Sequence, residues 1–105
     1  MAVDAAGDMN DRAWAELVRA RDAYTCQYCG LRSLYYSGSF HAHHFHTRSN
    51  PETRHDLDNG VTLCPPCHAF FHAHPAAAHE FGEHHLGSER WMRLADRFHG
   101  KRDRV

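Results

Sequence analysis

The chain has 105 residues, 12 of them His and four Cys, with 42% hydrophobic and 24% charged residues and a formal net charge of −1. That length is one small domain with a thin core, of the size that often borrows stability from metals, disulfides or partners. The balanced charge argues against a broadly basic nucleic-acid binder, no apolar run approaches a membrane span, and the start MAVDAAGDMND lacks the basic-then-apolar layout of a signal peptide, so a cytoplasmic chain without membrane contact is expected.

In chain order, Met1–Met9 is small and polar and is expected to be a loose terminus. Asn10 can cap a helix through about Arg21, with Trp14, Leu17, Val18 and Arg21 at i, i+3, i+4 and i+7, which reads as a docking helix over a metal-binding core. Tyr24–Gly30 (YTCQYCG) is a tight metal-binding turn, and Ser39–His46 (SFHAHHFH) interleaves Phe and His as a short strand or hairpin arm would. Thr47–Gly60 is polar, contains Asn50-Pro51 and reads as a loop; Val61–Leu63 is a short strand. Pro65-Pro66 opens a helix that Pro75 ends or kinks. Residues 76–105 read as two helices, with Gly87 as the stop of the first and Ser88 as the N-cap of the second. Trp91, Leu94, Ala95 and Phe98 form the apolar stripe of that second helix. Arg90, Arg93 and Arg97 flank it in a basic tail of six Lys or Arg against two Asp, where a solvated face is commoner than a phosphate contact.

Cys26-x-x-Cys29 and Cys64-x-x-Cys67 are separated by 34 residues. Two residues between thiolates let both sulfurs of a turn reach one ion, and two such turns complete a tetrahedron, so a closed structural Zn²⁺ site is expected. Gly30 helps the backbone fold around the ion. A redox CxxC would stand alone beside a βαβ unit, and none is visible.

Between the Cys pairs lie His43, His44 and Asn59, and just beyond the second pair His68 and His72. His68 and His72 are i, i+4, so on a helix both rings leave one face and can share an ion. His43 and His44 are adjacent, so on a strand they point to opposite sides: one can join the ion while the other lies beside it. Phosphodiester hydrolysis needs this division, an ion to polarise the phosphate and a separate base to activate water.

The run HAHHFHTRSNPETRHDLDNGVTLCPPCHAFFH resembles the HNH (ββα-metal) nuclease motif, with 14 residues between His44 and Asn59, eight between Asn59 and His68, and three between the last two His. The spacing is similar to that of the colicin-type nucleases, and the flanking CxxC pairs resemble zinc-supported HNH proteins of bacteriophages and restriction systems. The resemblance covers about residues 24–74. It implies an α+β fold: a small ββα-metal core with a Cys₄ zinc site, flanked by N- and C-terminal helices and forming one domain over 1–105.

By the same resemblance His44 matches the general base, Asn59 the residue that braces its loop, and His43, His68 and His72 the ligands of a catalytic ion. Many zinc-supported relatives have Asp where this chain has His43; an all-His set favours Zn²⁺, Ni²⁺, Mn²⁺ or Co²⁺ over Mg²⁺, which prefers oxygen. The implied reaction is metal-dependent DNA hydrolysis, by nicking or double-strand cleavage, leaving 5′-phosphate and 3′-hydroxyl ends. Arg48, Arg54 and His46 are candidate DNA contacts, with solvated loop charges as the plain alternative for the arginines. Activity is expected to fall below about pH 6.5, the ordinary His value. The chain's expected partners are DNA and other phage proteins such as a terminase, in a packaging or recombination machine of a bacterial or phage-infected cell, as a monomer or homodimer. A non-catalytic zinc module that binds nucleic acid or protein is the competing reading, and it predicts a dispensable His44.

Overall fold

The computed structural model describes residues 10–33 and 40–100; the expected loose terminus Met1–Met9, the Ser39 start of the Phe/His segment and the basic end 101–105 lie outside the described residues. Helix α1 (Asp11–Arg21) begins where Asn10 accepts the Ala13 N–H at 2.8 Å, as its sequence signal requires. Trp14 and Val18 are its buried residues. Leu17, expected in the same stripe, is 45% exposed, and Arg21 reaches across to the carbonyls of Leu57 and Gly60. Beyond α1, Ala23 and Tyr24 both adopt positive φ and turn the chain into the first Cys pair. The bridge between Thr25 and Arg32 closes that turn.

Strands β1 (His41–His44) and β2 (Gly60–Leu63) pair antiparallel, with His43 opposite Val61 and His44 opposite Gly60. All four residues of β2 are buried, and the end of α1 meets its backbone, where Asp22 accepts the Thr62 N–H at 2.9 Å. The segment between the strands, expected to be loop throughout, holds a short helix α2 (Pro51–Arg54) and a 3₁₀ turn (Leu57–Asn59). The residues that signal a loop are also caps: Asn50 accepts the Glu52 N–H at 2.8 Å ahead of Pro51, and Asp56 accepts the Asp58 N–H at 3.0 Å.

Three helices complete the chain: α3 (Pro65–Ala73), α4 (Pro75–Leu86) and α5 (Ser88–His99). Pro75 separates α3 from α4 at His74, and Gly87, at φ 91°, ends α4. Ser88 is not the N-cap that its position suggested. Gly87 holds the cap position of α5, Ser88 is the first helical residue, and its hydroxyl donates to Glu83. Phe40, Phe45, Val61, Leu63, Phe71 and Ala78 form the core with Cys26 and Cys64, and Phe81 and Trp91 pack against it. The architecture is the expected α+β one. No helix among the described residues is long and apolar enough to cross a membrane.

The flanking arginines of α5 are neither free nor turned to a distant phosphate. Arg97 pairs with Asp56 and Arg90 with Asp58, on either side of Leu57, while Arg93 meets Glu89 on its own helix. Exposed pairs of this kind contribute little stability singly. Their effect is positional: α5 is joined to the turn that carries Asn59.

Candidate metal and catalytic centre

The sulfurs of Cys26, Cys29, Cys64 and Cys67 all lie within 4.8 Å of one another, and Cys29 Sγ is 3.7 Å from Cys64 Sγ. Zn–S bonds of about 2.3 Å in a tetrahedron place sulfurs roughly 3.8 Å apart, so the donor set fits one ion. Gly30 supports the first turn as expected: it takes φ 83° and donates its N–H to the Cys26 carbonyl at 2.9 Å. Burial and the neighbouring sulfurs push the Cys67 thiol well above its ordinary value and raise that of Cys64. Burial also opposes the Cys26 thiolate, but backbone N–H groups, Cys29's among them at 3.5 Å, outweigh it and bring the thiol down to about 7. Four thiolates this close repel strongly unless a cation lies among them.

On the other side of α3 the ring nitrogens of His43, His68 and His72 form a second group within 4.8 Å. His68 Nε2 and His72 Nε2 are 3.0 Å apart, one helical turn from each other, and β1 brings in His43, which is buried. Burial first, then the neighbouring imidazoles, hold His43 down at about 3 and His68 at about 4. Both stay neutral near pH 7 with lone pairs available, the state in which imidazole binds a metal. The set fits a divalent ion with room for further ligands, because the trio opens onto a cavity of about 490 Å³.

His44 lines the same cavity but leaves β1 on the opposite side from His43, as strand alternation requires. Two contacts set its ring. The indole of Trp14 stacks on it at 3.8 Å between centroids and 12° between planes, and its Nε2 lies 2.8 Å from the Arg54 carbonyl. A carbonyl only accepts, so Nε2 carries the hydrogen and Nδ1 keeps the lone pair. Trp14 has this place because Gly60 stands opposite His44 in the sheet. A Cβ on Gly60 would come within 2.4 Å of the indole.

Asn59 is fully buried and ties three backbone groups. Its Oδ1 accepts the His46 N–H at 2.8 Å, and its Nδ2 donates to the carbonyls of His46 and Thr53, each at 3.0 Å. It thereby joins the end of β1 to α2, whose Arg54 carbonyl holds His44.

The candidate DNA contacts divide. Arg54 makes a two-point pair with Asp11, at 2.9 and 2.7 Å, and Arg48 reaches the same carboxylate at 3.2 Å. His55 also meets Asp11, at 2.7 Å. Hydrogen bonds from Arg54 and His55 hold the Asp11 carboxyl far below the usual range. His46 is not on the surface. It lies buried, stacked between Trp91 and Phe98, with its Nε2 lacking a protein partner. β1 ends at His44, and the chain turns inward to the core at Phe45, which carries His46 away from the strand. Asp11, Trp14 and His41 are the site residues that motif spacing missed. Asp11 and Trp14 share one face of α1 at i, i+3, a signal that reads equally well as ordinary docking. His41 Nδ1 lies 2.6 Å from His68 Nδ1.

No curated protein and no solved structure matches the chain. Residues 26–73, the span from the first cysteine of the Cys₄ cluster to the end of α3, match the HNH endonuclease family.

Proposed function

We propose, from the match of residues 26–73 to the HNH endonuclease family, that the chain is a metal-dependent endonuclease that hydrolyses DNA phosphodiester bonds. The observation that carries this reading is one cavity lined both by the trio His43, His68 and His72 and by an imidazole, His44, that lies outside the trio and has a free Nδ1. In this reading Zn²⁺ fills the Cys₄ site, and Zn²⁺, Ni²⁺, Mn²⁺, Co²⁺ or Mg²⁺ is held by the three histidines. That second ion supplies Lewis acidity to the scissile phosphate and offsets charge on the departing oxygen.

The protein's own part follows from the contacts. Neutral His44 takes a proton from water at Nδ1, the water oxygen bonds to phosphorus in line, and the P–O3′ bond breaks. The 3′ oxygen leaves and is protonated by solvent, so the ends are a 5′-phosphate and a 3′-hydroxyl. Trp14 fixes the plane of the base, the Arg54 carbonyl fixes its rotation and tautomer, and Asn59, bonded to the backbone of His46 and Thr53, joins the segments on which the base and that carbonyl stand. Arg48 and Arg54 are the phosphate contacts of this reading, held ready at the cavity by Asp11. We further place the chain, as a single domain, in the cytoplasm of a bacterial or phage-infected cell, as a monomer or homodimer serving DNA packaging or recombination beside a protein such as a terminase.

The test is incubation of supercoiled plasmid with the zinc-loaded protein and Mg²⁺, Mn²⁺, Co²⁺, Ni²⁺ or Zn²⁺ in turn. Nicked or linear product is expected with at least one ion and none in chelator. Intact plasmid with every ion, from a protein that binds the ion, refutes the reading.

The pH dependence is displaced from the ordinary His range. Burial lowers the pKa of His44, ahead of the opposing pull of the Arg54 carbonyl and Asp11. A depressed pKa keeps the base neutral further into acid, so the acid limb of the rate at saturating ion is expected below pH 6.5, not at it. A limb centred above 6.5 in a pH series of nicking rates contradicts the assignment.

A further inference from the structure

His68 uses its two ring nitrogens in different directions. Nε2 converges on His72 Nε2 at 3.0 Å, while Nδ1 faces His41 Nδ1 at 2.6 Å. His41 does not belong to the trio whose ligand atoms gather within 4.8 Å. It lies two residues before His43 on β1, so strand alternation puts both on the face turned to α3. The pairing of β1 with β2, which runs straight into α3 through Cys64, sets how far His41 stands from His68. The two rings meet nearly edge to face, at 75° and 4.7 Å between centroids, so the His41 nitrogen approaches in the plane of neither ring stack but at the edge of His68.

We propose that His41 is a positioning residue for the catalytic ion: it accepts a hydrogen bond from His68 Nδ1 and thereby holds the His68 ring with Nε2 turned toward His43 and His72. The proposal rests on the reading that those three histidines hold a divalent ion. A neutral imidazole that coordinates through Nε2 carries its one hydrogen on Nδ1, and that hydrogen needs an acceptor. In many metal sites a carboxylate or a backbone carbonyl fills this role, and its loss weakens metal binding about 10–100-fold. Here another imidazole stands in the place of the acceptor. A bond between two neutral imidazoles needs His41 as the Nε2–H tautomer, with its Nδ1 lone pair toward His68, and the exposed His41 ring leaves Nε2–H to water. The ring of His68 is half-buried and its other ring neighbours, His43 and His72, are members of the trio itself, so without the His41 bond it can rotate about its side-chain torsions and the trio loses its preset geometry.

The experiment is calorimetric titration of Co²⁺ into protein that retains its thiolate-bound zinc, for wild type, His41→Ala, His41→Asn and His72→Ala. Wild type is expected to bind one further Co²⁺, His72→Ala to lose most of that binding, and His41→Ala to bind about 10–100-fold more weakly. His41→Asn is expected to recover most of the loss, because an amide oxygen can accept the same hydrogen bond, whereas a merely space-filling role for His41 gives no advantage over Ala. Equal affinity of His41→Ala and wild type, or equal weakening by Ala and Asn, overturns the proposal while leaving the trio intact as a site. Failure of wild type to bind a second Co²⁺, or unchanged binding by His72→Ala, overturns the trio itself and the role of His41 with it.

Discussion

Replacing His44 by Ala is expected to reduce the rate of plasmid nicking by about 10²–10⁴-fold, the usual contribution of a positioned general base, while both metal sites stay loaded. The second half of that result follows from the geometry. His44 contributes no atom to either ligand cluster, and its ring is held from outside by Trp14 and the Arg54 carbonyl. The variant should therefore bind zinc and the second ion as wild type does. An unmetallated or unfolded His44→Ala protein would mean that the ring is structural. A folded, metal-loaded variant that nicks at the wild-type rate would give the base role to some other group, or to water on its own. The competing view of the chain as a non-catalytic zinc module predicts no nicking by either protein, which the wild-type control distinguishes.

Replacing Cys26 and Cys64 together by Ser is expected to abolish cooperative folding. Structural zinc sites contribute about 10–16 kcal/mol of apparent binding free energy at neutral pH, whereas a domain's net stability is about 5–15 kcal/mol. Both residues are buried and belong to the core cluster, so the substitution also places hydroxyls among Phe40, Val61, Leu63 and Phe71. The consequence reaches the chemistry. Cys64 follows β2 and caps α3 just before Pro65, so the sulfur site fixes where α3 starts, and α3 carries His68 and His72. Loss of zinc should therefore release the second ion as well. Circular dichroism melting with zinc analysis checks this; a zinc-free variant with a wild-type melting temperature contradicts it.

Much of the candidate site is legible in the sequence because it depends on local spacing. A CxxC turn, an i, i+4 pair of His on a helix and adjacent His on a strand fix relative directions whatever surrounds them, and each is found where its period puts it. Where the reading failed, the cause was a long-range contact. Asn50-Pro51 and Asp56 looked like loop residues, and they cap short helical turns instead, because α5 holds that segment through Arg90 and Arg97. His46, a candidate DNA contact by sequence, is instead stacked on Trp91 and Phe98, because the chain leaves the sheet after His44. Trp14 reads as part of a docking stripe, and Asp11, three residues before it, carries no signal of its own. Their place at the cavity depends on Gly60, 46 residues after Trp14, leaving room for the indole.

The sequence by itself determined the cluster of four Cys, the cluster of three His, the place of His44 beside but outside the second, and the α+β order of elements. Periodicity and spacing act within one or two turns of backbone, so these need no knowledge of the rest of the molecule. Only the tertiary structure decided how the base is held, which hydrogen it carries, and what surrounds the ligands. The stack of Trp14 on His44, the Arg54 carbonyl at Nε2, Arg48, Arg54 and His55 gathered on Asp11, and His41 behind His68 each join segments from 10 to 44 residues apart. Such contacts arise when a thin core packs helices from both ends of the chain over one small sheet, and no local pattern specifies which side chains then meet.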